Sequence, residues 1–130
     1  MERILDVDLL AFERGDREQR AAVVDGVMRS LATGFVYTRH DMPEELIDRA
    51  YVGLADFFTR HRYPHRYRPP VLPEEDVPGI TDVLMTFHRR LVDVQLRFLR
   101  IIAVGLGCHE EYFDLLLRDG PTLTRAISEG

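Results

Sequence analysis

The sequence contains no lysine, no tryptophan and a single cysteine. Because all 17 basic residues are arginine, chemistry that needs a lysine amine, such as Schiff-base formation, is excluded. One cysteine per chain also excludes an internal disulfide framework and a cysteine-rich zinc site. That residue, Cys108, follows Gly107 at a predicted helix end, which favours a buried structural thiol.

Long apolar runs and an excess of positive charge are missing as well. Charged residues interrupt Met1–Asp8, so no signal peptide is predicted and we expect a cytoplasmic protein without a membrane partner. The net charge of -5 argues against nucleic acid as a partner, because phosphate binding needs a basic surface. With 130 residues, of which 45% are hydrophobic, the chain predicts a single domain over residues 1–130.

The longest regular pattern covers Ile80–Gly105. A spacing that alternates between four and three residues places an apolar stripe on one helix face, formed by Ile80, Leu84, Phe87, Leu91, Val94, Phe98, Ile101 and Gly105. The other face carries His88, Arg89, Asp93, Arg97 and Arg100, so we expect a half-buried helix in which Arg97→Ala costs little stability. A long spine helix in the core is favoured, and a coiled-coil seam is the alternative.

Shorter patterns surround this spine. Alternating or β-branched residues predict strands at Ile4–Leu9, Phe35–Thr38 and Thr122–Ile127, with a turn at Ala11–Gly15. Caps and apolar periodicity predict helices from Asp16 to about Thr33, from Asp41 to about Tyr63 and over Glu110–Arg118. The predicted class is α+β and mostly helical: a spine packed by two or three helices, with a small sheet of two or three short strands.

The segment 61–78 has five prolines and no helical period, so a Pro- and Arg-rich loop is predicted. Arg62, Arg66, Tyr67 and Arg68 stand close together in it and form the candidate contact for an anion or a partner. The structural alternative is that the arginine stems cover helix ends and pair with the acidic residues at 74–76.

Short motifs in both halves of the chain carry a resemblance. They are Gly34-Phe35-Val36-Tyr37 with His40 and Pro43 beyond it, Asp56-Phe57-Phe58, Asp76-Val77-Pro78-Gly79, Gly105-Leu106-Gly107, Glu111-Tyr112-Phe113 and the run 120–127. In this order they resemble the N-terminal region of isopenicillin N synthase-like oxygenases, the iron(II)- and 2-oxoglutarate-dependent dioxygenases. The resemblance extends over nearly the whole chain, although the family usually has a longer insert where residues 59–76 stand here.

The resemblance implies an oxidoreductase family with iron(II) and 2-oxoglutarate as cofactors, but not a catalytic site in this chain. The family's iron ligands, a His-x-Asp/Glu pair and a distant His, and its 2-oxoglutarate-binding Arg belong to a barrel that follows this region. None of them maps onto residues 1–130, so no catalytic, cofactor-binding or metal-binding residue is predicted. The one His-x-acid match, His109 with Glu111, begins a predicted helix on which the two side chains diverge, and Glu111 suits the helix dipole.

Three functions follow as hypotheses. The first is a non-catalytic N-terminal module of this oxygenase family, either truncated or acting as a subunit beside a barrel-bearing partner. The second is a stand-alone binding or scaffold protein derived from that module, and the third is an enzyme with a new site around the Arg-rich loop. Because the barrel sheet would be missing, apolar strand residues such as Phe35 and Tyr37 also predict self-association through strand edges.

Overall fold

A computed structural model describes residues 4–60, 73–117, 120 and 124 of the chain. The described residues form two strands and six helices, which confirms the α+β, mostly helical class. Their order is β1 (Leu5–Asp8), α1 (Leu9–Arg14), α2 (Arg17–Ser30), β2 (Val36–Arg39), α3 (Glu44–Arg60), α4 (Pro73–Asp76), α5 (Ile80–Gly105) and α6 (Tyr112–Leu117).

The chain divides into two compact units. The first consists of Met1–Asp41 and Val92–Pro121, and the second of Met42–Leu91 and Thr122–Gly130. The single domain expected over residues 1–130 stays a prediction.

The first unit begins with a βαβ arrangement. The carboxylate of Asp8 accepts a hydrogen bond from the backbone N–H of Leu10, at 3.0 Å, and so caps α1 directly after β1. Asp16 and Gln19 then form a reciprocal capping box at the start of α2, as the predicted cap at Asp16 requires. After α2 the chain returns as β2, which pairs with β1 in parallel and sets Leu5 beside Val36.

One apolar cluster holds this unit together. Its buried members come from β1, α1, α2 and the second part of α5, and they are Val7, Leu9, Phe12, Val23, Val27 and Ile101. Val94, Phe98 and Ile102 of α5 pack against the cluster from the same helix. The spine helix therefore fills the role predicted for it, with the apolar stripe turned toward its neighbours.

The ends of α5 agree with the predicted range Ile80–Gly105. The helix closes with a Schellman motif, in which the N–H of Cys108 donates to the carbonyl of Ala103 and the N–H of Gly107 to that of Val104. Gly107 has a φ of 78°, a backbone conformation that residues with a Cβ rarely adopt.

In the second unit α3 packs against the first part of α5. The rings of Tyr51 and Phe87 meet edge to face with centroids 6.5 Å apart. Ala50 and Ile80 are buried, and a Cβ built on Gly53 would lie 3.3 Å from Cδ1 of Ile80. These contacts explain why α3 presents its smallest residues to the spine, since bulk there would push the helices apart.

The loop predicted over 61–78 needs a correction, because Pro73–Asp76 forms the one-turn helix α4. Proline suits a first helical position, and the acidic residues that follow favour the positive end of the helix dipole. The Glu74 carboxylate accepts hydrogen bonds from the N–H groups of Thr81 and Gly79, at 2.9 and 2.8 Å, which lowers the pKa of Glu74. Residues 61–72 lie outside the described part of the chain.

Other boundaries differ from prediction. Ala11 to Arg14 belong to helix α1 rather than a turn, because the Asp8 cap starts a helix that buries Leu9 and Phe12. Helix α3 begins at Glu44 instead of directly after Asp41, and its first carbonyl acceptor is that of Pro43. Strand β2 starts one residue late, since the N–H of Phe35 donates to the Thr33 hydroxyl. The third predicted strand, Thr122–Ile127, lies outside the described residues except for Thr124.

Candidate interaction surface

One side of the sheet faces away from the apolar cluster and exposes an aromatic side chain beside charged ones. Side chains alternate along a strand and paired residues of parallel strands share a face, so Val7 and Val36 lie on one face and Asp6, Asp8, Tyr37 and Arg39 on the other. The first face packs on the apolar cluster. On the second face Tyr37 is 63% exposed, and Phe35, directly before β2, is 70% exposed. We call Phe35, Tyr37 and Arg39, with the strand edge that bears them, the β2 surface.

Close packing on the inner face makes this sheet a firm support. A Cβ built on Gly26 of α2 would lie 3.1 Å from Cγ1 of Val7, so α2 approaches β1 at the limit that a side chain allows. Among the described residues the sheet has only the two strands, and β2 has β1 as its single strand neighbour. The other edge of β2 therefore offers backbone donors and acceptors that another strand can pair with.

The outer face also carries charged side chains, Asp6 and Asp8 of β1 and Arg39 of β2. Arg39 Nε lies 3.3 Å from Oδ1 of Asp6, and both side chains are more than half exposed. Such an ion pair in water contributes at most about 1 kcal/mol. Arg39 is consequently able to exchange this contact for another.

The end of β2 is anchored by a cluster of charges around Arg97. Two nitrogens of its guanidinium donate to the carboxylate of Glu13, at 2.9 and 2.5 Å, in a bidentate arrangement. Nη1 also donates to Asp41, at 2.8 Å, and to Asp93, at 3.0 Å. Because Asp41 follows β2 by two residues and Glu13 lies on α1, one arginine of α5 connects three parts of the first unit.

The electrostatics of this cluster follow from its geometry. The hydrogen bonds from Arg97 hold the pKa of Glu13 below its ordinary value of 4.5, although partial burial opposes that shift. The pKa of Arg97 is raised, chiefly by its hydrogen bonds to Glu13 and Asp41. With 15% of the Arg97 side chain exposed, the expectation that it lies on a solvent-facing side of α5 is wrong.

Two further arginines tie α6 and the residues before it to the first unit. The Arg100 guanidinium donates to both oxygens of Asp114, with its shortest contact at 2.7 Å, and this bond raises the pKa of Arg100. Arg20 lies over the ring of Phe12, with its guanidinium carbon 4.3 Å from the ring centroid, and also pairs with Glu110. These pairs build structure and show no free group directed at a ligand.

The predicted contact residues Arg62, Arg66, Tyr67 and Arg68 all lie outside the described part of the chain. His109 accepts a hydrogen bond at Nδ1 from the N–H of Glu111, at 3.2 Å, so this pair is joined through the backbone. His88 contacts the hydroxyl of Thr124, and Cys108 is a partly exposed free thiol. Within residues 4–60 and 73–117 no group of three His, Cys, Asp or Glu side chains is arranged to hold a metal ion.

Sequence reasoning missed the Arg97 cluster. The spacing of four between Asp93 and Arg97 is a recognisable helical pair, yet Glu13 and Asp41 stand far away along the chain. Phe35 and Tyr37, by contrast, were expected to be uncovered.

Comparison of the chain with family models, with curated proteins and with solved structures gives no significant match. In the part of the chain that the structure describes, no helix combines the length and the apolar character needed to cross a membrane.

Proposed function

We propose that this chain is a non-catalytic module of the iron(II)- and 2-oxoglutarate-dependent oxygenase type, which packs through its β2 surface on the barrel of a partner subunit. The partner supplies the iron ligands and the 2-oxoglutarate-binding arginine. The module supplies a preformed helical support that covers one end of the partner's sheet.

The observation that carries the proposal is the pair of exposed aromatic residues, Phe35 and Tyr37, at the β2 side of a firmly supported sheet. A strand pair is marginal by itself, and large aromatic side chains exposed beside a free strand edge are typical of a surface that another sheet covers. The charges around Arg97 hold the end of β2 in place, so the surface is organised before a partner arrives.

The prediction that the chain has no catalytic iron site of its own is tested with iron(II). The isolated protein is titrated anaerobically with iron(II) and 2-oxoglutarate, and the visible charge-transfer absorption of an iron–2-oxoglutarate complex is recorded. We expect no such band. A band that saturates with one iron per chain overturns the non-catalytic assignment.

Docking is tested by searching the coding sequence around this chain for a barrel protein, recognised by a His-x-Asp pair, a distant His and an Arg-x-Ser. Co-expressed with a tag on one partner, the two should purify as a complex. Tyr37→Asp should reduce complex recovery at least about tenfold, because a carboxylate at the centre of the interface is desolvated without a partner. Tyr51→Asp is the matched control, since Tyr51 is 66% exposed but belongs to α3 of the second unit. If the complex is recovered equally well with Tyr37→Asp and with the unmodified chain, the docking proposal is overturned.

A stand-alone binding protein is the second candidate, and the residues of α6 favour it. Leu115 and Leu116 are exposed on this helix, and Leu106 is exposed before it. Apolar side chains concentrated in one short stretch are a common feature of binding surfaces. If Leu115→Asp abolishes capture of the barrel protein while Tyr37→Asp does not, this surface replaces the sheet as the docking site.

A further inference from the structure

We propose that two copies of this chain pair through their β2 strands, antiparallel and around a two-fold axis at Tyr37, into one four-stranded sheet. The strand order is β1-β2 of one copy followed by β2-β1 of the other. The occupant of the β2 edge, which no described strand covers, is thus a second copy of the chain.

Within the described residues, β2 is an edge strand of the sheet. Among those residues it pairs with β1 alone, and Tyr37 on its outer face and Phe35 directly before it are largely exposed. A sheet of two strands gains from each strand added, because backbone groups become paired and adjacent side chains are shielded from water. Natural edge strands are commonly protected by charge or proline, and of the four residues of β2 only Arg39 is charged.

Two copies of β2 complement each other in the proposed antiparallel register. With Tyr37 at the two-fold axis, each Phe35 lies opposite Arg39 of the second copy, and Tyr37 lies opposite Tyr37. Tyr37 and Arg39 are on the outer face, and extending the strand by one residue brings Phe35 to the same face, where Arg39 is able to lean over its ring in a cation–π contact. The inner face sets Val36 opposite Thr38, two β-branched residues that pack well across strands. No like charges meet in this register.

The edge formed by β1 is unsuited to the same pairing. The same antiparallel pairing of two β1 strands around Val7 would set Asp6 opposite Asp8 of the second copy twice, and like charges directly opposite each other are destabilising. Asp8 is also engaged in capping α1 through the N–H of Leu10. The acidic β1 edge therefore resists the association that the apolar β2 edge favours.

Arg39 does not oppose the arrangement. Its present partner, Asp6, is held at 3.3 Å by an exposed ion pair, which is weak enough to rearrange at little cost. This inference is independent of the oxygenase proposal, because it concerns the chain without a barrel partner. Both use the same edge, so self-pairing and barrel docking exclude each other.

Cross-linking tests the register. In a Cys108→Ser background, Tyr37→Cys places two thiols opposite each other at an antiparallel pair, whose Cα atoms are about 4.5 to 5.5 Å apart and within disulfide range. Mild oxidation should give a covalent dimer in high yield that disappears on reduction. Tyr51→Cys in the same background is equally exposed and should stay largely monomeric. Equal cross-linking of the two variants overturns the proposed register.

Sedimentation equilibrium tests the association itself. The unmodified chain should sediment as a dimer, and Tyr37→Lys should weaken dimerisation at least about tenfold, since it sets two ammonium groups against each other at the axis. Tyr51→Lys should leave the dimer unchanged, and circular dichroism should show all three proteins folded. A monomeric unmodified chain, or a dimer insensitive to Tyr37→Lys, overturns the proposal. Neither result bears on capture of the barrel protein, so the two proposals fail separately.

Discussion

At the residue scale, Arg97 is bound to three carboxylates at once. Its planar guanidinium binds Glu13 through two nitrogens and still reaches Asp41 and Asp93. Lysine offers a single point of charge and has no comparable fork. The cluster carries three carboxylates against one cation, so its stability depends on that cation being present.

We predict that Arg97→Met lowers the free energy of unfolding by about 2 to 3 kcal/mol, because three carboxylates lose their shared donor in a partly buried place. Methionine keeps most of the apolar stem, so the loss reports on the charge and hydrogen bonds. Arg89→Met, at an exposed position on the same helix, should change stability by less than about 0.5 kcal/mol. Urea unfolding of the two variants measures the difference, and equal losses would contradict the role given to Arg97.

Glu13 gives this cluster a pH dependence. Its pKa is lowered in the folded protein, so the stabilisation it contributes is present above its ordinary value of 4.5 and is lost as the pH falls through the lowered folded pKa. Glu13→Gln should therefore be less stable than the unmodified protein at about pH 6, and the gap should close toward about pH 3.

Unfolding midpoints in urea across this pH range provide the test. The control is a double-mutant cycle: in an Arg97→Met background, Glu13→Gln should no longer lower stability, because the hydrogen bonds that favour the carboxylate are absent. A gap between Glu13→Gln and the unmodified protein that stays constant down to about pH 3 would contradict the assignment.

At the element scale, the junction of α1 and α2 depends on a close approach that only glycine permits. The N–H of Gly15 donates to the carbonyl of Ala11, and the next residue, Asp16, forms the capping box with Gln19. A Cβ on Gly15 would lie 2.2 Å from that carbonyl oxygen and 2.8 Å from Cβ of Gln19. The φ of -75° is ordinary, so the constraint is steric rather than conformational.

We predict that Gly15→Ala destabilises the protein by about 1 to 3 kcal/mol, since the backbone of α1 or the capping box must move to admit the methyl group. Gly120→Ala is the matched control. There the new Cβ would lie 3.6 Å from the carbonyl oxygen of Leu117, the nearest atom among the described residues, which is an ordinary contact. Thermal unfolding with both variants at one concentration separates them. A fully tolerated Gly15→Ala would show that the junction is free to relax.

At the scale of the whole molecule, exposed apolar side chains dominate the behaviour expected in solution. The net charge of -5 keeps molecules apart at long range, while Phe35 and Tyr37 favour contact at short range. Association that depends on such a small surface is governed by mass action and responds to concentration.

We predict that the Tm of the unmodified chain rises with protein concentration between about 5 and 100 µM, because pairing through β2 stabilises only folded chains. Tyr37→Lys should remove this dependence, and Tyr51→Lys should retain it. Differential scanning fluorimetry over the concentration series measures the effect. A Tm of the unmodified chain that does not move would leave no role for self-pairing in stability.

Patterns among neighbouring residues were sufficient to predict much of the secondary structure. The stripe of α5 lies within one helix, so its period set the range Ile80–Gly105 without reference to any other element. The Asp16 cap and both described strands were likewise predicted from neighbouring residues. Helix α1 was missed because its six residues have too little pattern of their own, and the burial of Leu9 and Phe12 against distant partners stabilises it.

For the candidate surface, too, local patterns predict one part and tertiary packing decides the rest. Alternation along β2 sets Tyr37 and Arg39 on one face and Val36 on the other, but the packing of the sheet on the apolar cluster decides that Val36 turns inward. The partners of Arg97 could not be predicted, since Glu13 and Asp41 are separated from it by 84 and 56 residues. Short-range periodicity determines which helices and strands form, because backbone hydrogen bonding and burial repeat every few residues. Which charges meet depends on how those elements pack, and this the tertiary structure alone decides.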